Sequence, residues 1–153
     1  MLYFTWEPDL KIGIEVIDAQ HLHIIDSINE LNQAFANCSE AEVGRMLDRL
    51  VEYIHAHFAF EECLLERVRY PYLEAHRQIH RAFAIRVHDY RRSFHRGDTS
   101  AGKKLLADLT IWLTNHIKHE DEVYTEIVLP YLQNDADSDD WLATTLTRLF
   151  GDT

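Results

Sequence analysis

Between residues 17 and 35 the apolar positions Ile17, Ile24, Ile28, Leu31 and Phe35 fall at intervals of three and four, with His21 completing the series. That spacing turns one face of an α-helix toward a common side. The rhythm recurs three times. Leu50, Ile54, His57, Glu61, Leu64 and Val68 mark a second helix; Leu73, His76, His80, Phe83, Val87, Tyr90 and Phe94 a third; and Leu105, Leu109, Trp112 and His116 a fourth. Boundary signals accompany them. Asp18 reads as the N-cap of the first helix, and Ser39 with Glu42 as a capping box opening the second, which runs to about Arg67. Pro71 suits the first turn of the third helix and Gly97 its end, while the fourth is expected to stop near Pro130. Residues 1–17 read as an irregular arm rich in apolar groups, among them Tyr3, Phe4, Trp6, Leu10, Ile12 and Ile14.

After the turn signal "DADSDD", Trp141, Leu142, Leu146, Leu149 and Phe150 form the apolar face of a short helix over about 138–150. Two readings of this helix stay open: packing on the outside of the other four, or docking of a partner or a second copy. Four long helices with short connections predict an all-α, antiparallel up-down four-helix bundle over 18–130, with an N-terminal arm and a short extra C-terminal helix. The whole of 1–153 reads as one domain, a length that allows a real core.

Composition narrows the function classes. The chain is 46% apolar with a formal charge of −11, which suits a soluble globular protein. An acidic surface without a basic stripe argues against nucleic acid. No apolar run approaches the roughly 18 residues of a membrane span, so no membrane insertion is expected. The N-terminus "MLYFTWEPDLKIG" lacks the pattern of a signal peptide. Cys38 and Cys63 form no close-spaced motif and read as buried or idle thiols of a reducing cytosol, so a cytoplasmic location is expected.

Histidine is what does not fit a plain bundle. There are ten, and His21, His57, His76, His80 and His116 stand where Leu or Ile would otherwise be buried. An unpartnered buried imidazole costs about 1–3 kcal/mol. One such residue is commonly satisfied by a carbonyl, but five in one seam call for a shared partner, and a metal centre supplies it once. Glu61 follows His57 by four residues and His80 follows His76 by four, so each pair converges on one point of its helix face. Asp121 follows His116 by five, a rotation about 140° off the shared face on an ideal helix. A local π-bulge would bring it back. His23, His55, His88, His95 and His119 fall off the stripes and read as solvated or rim positions. No cysteine enters the set, which disfavours structural zinc and iron–sulfur. Five imidazoles exceed one ordinary site, whereas two metals bridged by two carboxylates would use them all.

In "IDAQH" at 17–21, "HFAFEE" at 57–62, "HRQIH" at 76–80 and "WLTNHIKHED" at 112–121, with Trp6 ahead of them, the chain resembles the hemerythrin family over roughly residues 1–130. These are non-haem di-iron oxygen-binding bundles, and the related myohemerythrin is among the standard four-helix bundles. The resemblance implies two iron ions per chain. His76, His80 and His116 would bind one and His21 and His57 the other, with Glu61 and Asp121 bridging both beside a solvent-derived oxo or hydroxo group. One position would stay open on the His21/His57 iron, where dioxygen would bind. Trp112 and Ile117 would help wall an apolar oxygen pocket. Leu65 stands where relatives often carry Met, and the segment beyond Pro130 exceeds what compact members need.

The implied activity is reversible dioxygen binding for storage, delivery or buffering under low oxygen, with no catalytic residues. The implied partners are dioxygen and an oxygen-using enzyme, and the chain is expected as a monomer or weak oligomer. Competing readings are a di-iron oxidase, peroxidase or nitric oxide scavenger, a stand-alone oxygen or iron sensor, and a zinc-stabilised structural bundle.

Overall fold

The computed structural model describes residues 2–151. Four long helices form the frame: α1 (Glu15–Asn37), α2 (Glu40–Arg67), α3 (Leu73–His95) and α4 (Ser100–His116). Each packs on the next and α4 closes on α1. With short connections between them, this is the antiparallel up-down bundle that the four apolar stripes predict. Among the described residues no helix is long and apolar enough to cross a membrane.

The helix boundaries follow local chemistry, in places differently from the sequence expectation. Helix α1 starts at Glu15, three residues before Asp18, with Ile14 at its N-cap. Asp18 does not cap it; its carboxylate accepts the backbone N–H groups of Ile12 (2.9 Å) and Gly13 (3.1 Å) and so ties down the end of the arm. Ser39 caps α2 as expected, accepting from the Glu42 N–H at 3.2 Å. Helix α2 ends in a Schellman turn: Tyr70 N–H bonds to Leu65 O and Arg69 N–H to Glu66 O, with Arg69 at φ 57°. A non-glycine residue there costs on the order of 1 kcal/mol. Tyr70 and Leu65, brought together by the turn, are both buried in one apolar cluster. Pro71 consequently lies in the connection and α3 begins at Leu73.

The fourth helix departs most. After His116 the chain makes a π-helical stretch, Ile117–Asp121, then a 3-10 turn, Glu122–Tyr124, and resumes as α5 (Thr125–Asn134). It does not stop at Pro130, which lies inside α5. Proline removes one N–H from the ladder there. Leu129, Tyr131 and Leu132 pack against the apolar cluster on either side of it and hold the last turn in place. Helix α6 (Ser138–Phe150) follows and lies against α2 and α5. Its residues Trp141, Leu142, Leu146, Leu149 and Phe150 pack against the cluster around Phe60, as the packed reading of this helix expects.

The interior is divided. The larger apolar cluster includes Ile24, Ile28, Leu47, Ile54, Phe83, Leu105, Leu109 and Ile117, together with Phe4 and Leu10 from the arm. The smaller includes Ile14, Ile17, Phe60, Leu64, Leu65, Tyr70, Tyr124 and Val128. The arm is held by Asn29, whose side chain accepts from the Phe4 N–H and donates to the Phe4 carbonyl, both at 2.8 Å. An ion pair from Asp9 to Lys118 (2.9 Å) fastens it to the π-helical stretch. Three arginines of α3 meet acids on the neighbouring helices: Arg77 with Glu62 and Glu66, Arg91 with Asp48, and Arg86 with Asp108. These partly exposed pairs are worth little each, about 0–1 kcal/mol, but they bias which helix faces lie together.

Candidate metal centre

Between the two apolar clusters lies a polar layer. His21 comes from α1, His57 and Glu61 from successive turns of α2, His76 and His80 from successive turns of α3, and His116 from the last residue of α4. The π-helical stretch then returns Asp121 to the face His116 occupies, five residues on. That distortion is what the 116–121 spacing requires. All seven side chains are buried, none more than 3% exposed.

Their donor atoms form two groups. Glu61, His76, His80 and His116 make one, and His21, His57, Glu61 and Asp121 the other; within each, one donor atom per residue lies within 4.8 Å of the rest. The carboxylates connect them. Glu61 Oε1 faces His80 Nε2 (3.1 Å) and His116 Nε2 (3.6 Å) and is in close contact with His76 Nε2, while its Oε2 faces His57 Nε2 at 3.6 Å. Asp121 Oδ1 faces His116 Nε2 (3.0 Å) and His76 Nε2 (3.4 Å), and its Oδ2 faces His21 Nε2 at 3.2 Å. Each carboxylate thus presents one oxygen to the three-imidazole group and the other to the two-imidazole group.

These residues do not satisfy one another. His21 Nε2, His57 Nε2, Glu61 Oε2 and both Asp121 oxygens are buried without a hydrogen-bond partner. His80 Nε2 and His116 Nε2 sit 3.1 Å apart, nitrogen to nitrogen. Buried unpartnered polar groups are costly, and so many in one layer make sense as ligands converging on cations. Imidazole and carboxylate donors with no thiolate fit iron. Cys38 and Cys63 are free and outside the layer; Cys38 is exposed at the end of α1 and Cys63 is half-buried.

The protonation pattern reflects crowding. Burial, reinforced by the neighbouring His21, drives His57 down to about 3. Burial also opposes charge on His116, but Asp121 and Glu61 outweigh it and lift this imidazole to about 10. Glu61 is held well below the usual carboxylate range: burial works against this, and the imidazoles of His116, His76 and His80 that face it prevail. Asp121 is also lowered, with burial and Glu61 opposing and His116 prevailing. Burial, then the charges of Asp121 and Glu61, pushes the Tyr124 phenol well above its ordinary value.

The five off-stripe histidines stay out of the layer. His23, His88, His95 and His119 are exposed, and His55 is half-buried, stacked on His88. Trp112 lies parallel to the His116 ring at 4.3 Å and to Phe83 at 4.2 Å, so its aromatic contacts within the layer are with the three-imidazole group. Ile117 is fully buried beside His116.

Several neighbours of the layer escape a reading of the sequence. Phe58 stacks on His80 at 4.0 Å, and Tyr124, fully buried with an unpartnered hydroxyl, packs against His76. Gln20 Oε1 lies 2.7 Å from His57 Nδ1, and Glu62 Oε2 lies 2.9 Å from His80 Nδ1. Gln20 and Glu62 are chain neighbours of ligand candidates. That adjacency is the only sequence signal for them, since each is one residue off the ligand face.

Comparison with known proteins agrees with this geometry. The profile of the Hemerythrin HHE cation binding domain matches residues 12–128. A bacteriohemerythrin of Stenotrophomonas maltophilia is 41% identical, covering 99% of this chain and 100% of that protein. One of Pseudomonas aeruginosa is 38% identical with the same coverage. A crystal structure of a hemerythrin mutant superposes with a TM-score of 0.78 at 27% identity, covering 84% of this chain and 98% of that one.

Proposed function

This chain belongs to the hemerythrin family, and on that premise we propose that it binds dioxygen reversibly at two iron ions, storing, delivering or buffering oxygen. Family membership and the His/Glu cluster fit a di-iron oxygen-binding protein. The observation that carries the two-metal reading is the pair of carboxylates, each facing both imidazole groups. His76, His80 and His116 would hold one iron and His21 and His57 the other, with Glu61 and Asp121 shared. When bound, the irons supply two electrons to dioxygen, one each, and recover them on release.

The residues do the rest. Three imidazoles against two leave the His21/His57 side one protein ligand short, which makes it the side that admits a small molecule. The apolar clusters above and below keep water from the layer, which slows irreversible oxidation. Trp112, Phe58 and Ile117 extend that screen over His80 and His116. The N-terminal arm, the bundle and α6 act as one hemerythrin-like domain, and an oxygen-using enzyme is the fitting recipient of the cargo. A turnover reading, oxidase or peroxidase, draws on Tyr124, an oxidisable phenol packed on His76.

The test is iron analysis followed by anaerobic reduction and repeated cycles of oxygen addition and removal, watched by visible absorption. Two irons per chain and a charge-transfer band that comes and goes with oxygen are expected. One metal per chain, or a band that never reverses, would defeat the proposal. Sustained consumption of oxygen or peroxide with added reductant would favour turnover.

A further inference from the structure

We propose that the two iron positions are made electronically unequal by the residues behind their histidines, a neutral amide at Gln20 behind His57 and a carboxylate at Glu62 behind His80. This rests on the di-iron reading above. Among the described residues these are the hydrogen bonds that link an imidazole of the layer to a side chain outside it. His21 and His116 have no partner at Nδ1.

The Gln20 contact has a defined polarity. His57 turns Nε2 toward Glu61 and the layer, so Nδ1 carries the proton and donates to Gln20 Oε1 at 2.7 Å. Gln20 is buried, and its Nε2 finds no partner. An amide whose donor end is left idle in the interior, at a cost of about 1–3 kcal/mol, is held there for its oxygen. A carboxylate would accept the same proton without an orphaned N–H, but would add a charge. The chain thus has a neutral acceptor where a charged one would serve the hydrogen bond equally.

On the other side the choice is reversed. Glu62 accepts from His80 Nδ1 at 2.9 Å and is steadied by Arg77 Nε at 3.5 Å from its other oxygen. A carboxylate behind a ligating imidazole raises the basicity of the nitrogen facing the metal and so favours the higher oxidation state; an amide does this less. Ligand count acts in the same sense, three imidazoles against two. The three-imidazole iron should therefore lose its electron first, and the His21/His57 iron, the one with room for a small molecule, should stay ferrous longest. Gln20 and Glu62 are positioning residues: they act through His57 and His80.

The test is stepwise anaerobic oxidation of the fully reduced, iron-counted protein with ferricyanide, each equivalent removing one electron and becoming ferrocyanide. Potentials are read by potentiometry and the valence of each iron by Mössbauer spectroscopy. The unsubstituted protein should oxidise in two separate one-electron steps, the first at the three-imidazole iron. Glu62→Gln should raise the first potential and leave the second in place; each tenfold loss of ferric over ferrous affinity reads as about 59 mV. Gln20→Glu should lower the second, and the double exchange should bring the two steps closer together, leaving only the difference in ligand count between them. Because Glu62 is partly exposed, its variant carries the test even if Gln20→Glu fails to fold. Two irons per chain with no shift in Glu62→Gln, or with both steps shifted equally, would overturn the inference while leaving the di-iron reading intact. Fewer than two irons in the unsubstituted protein would bring down both.

Discussion

Trp112→Ala separates packing from screening. The indole stacks on Phe83 at 4.2 Å and on His116 at 4.3 Å, and meets Phe58 edge-on at 5.4 Å. Truncating a buried tryptophan costs about 3–5 kcal/mol. These three ring contacts alone are worth about 1.5–4.5 kcal/mol, at about 0.5–1.5 each. Because Trp112 is only half-buried, the low end applies, about 3 kcal/mol. For a chain of this size each kcal/mol moves Tm by about 2–4 °C, so Tm should fall by about 6–12 °C. The cavity opens onto the faces of His116 and His80, so the reduced iron protein should also oxidise faster in air. Trp112→Phe, which keeps a ring against Phe83, should recover most of the stability and part of the oxidation resistance. Calorimetry and visible absorption measure the two effects on the same samples. A lowered Tm with an unchanged oxidation rate would refute the screening role and leave Trp112 as a packing residue only.

Further outcomes follow from the same geometry. His57→Ala should abolish oxygen binding by removing one of two imidazoles on its side, while His119→Ala, exposed on the π-helical stretch, should leave iron content and spectrum unchanged; equal losses would mean the helix faces are misassigned. Truncation after Asn134 should lower Tm at unchanged solution mass and keep the iron, because α6 covers Phe60 rather than a ligand; iron loss from a folded truncated chain would place α6 in the support of the site. In the metal-free protein, His57 has a depressed value, so its contribution is present above pH 6.5 and lost as pH falls from there toward about 3. His116 has a raised value, so its contribution is present below 6.5 and lost as pH rises through about 10. Urea midpoints of metal-free protein should therefore peak near neutrality, each slope at most about 1.4 kcal/mol per pH unit; a flat profile from pH 7 to 4 would contradict the buried, neutral His57.

The helix faces were legible because a repeat of three and four is visible without coordinates, and the imidazoles stand within it. Asp121 was legible only by asking what its awkward spacing demands, and the π-helical stretch supplies it. Terminal signals misled where a side chain had other work. Asp18 looks like a cap and instead holds the backbone of Ile12 and Gly13. Pro130 looks like a stop, but flanking apolar contacts outweigh one missing hydrogen bond. Gln20 and Glu62 carry no periodic mark, because their roles depend on the direction of a hydrogen bond across helices.

The polar layer also bears on how the chain reaches its native state. It splits the apolar interior, and the larger cluster draws on all four long helices, which neighbour one another in sequence. Collapse of that cluster rests mostly on pairing of helices adjacent in the chain, with the closure of α4 on α1 as its distant contact, a topology that folds fast. It does not need the imidazoles to have settled. Iron would then enter a chain already wound into its bundle, and maturation would be a late, local ordering of one layer instead of the event that creates the fold. That sets this architecture apart from small zinc domains, where the metal and the fold arrive together.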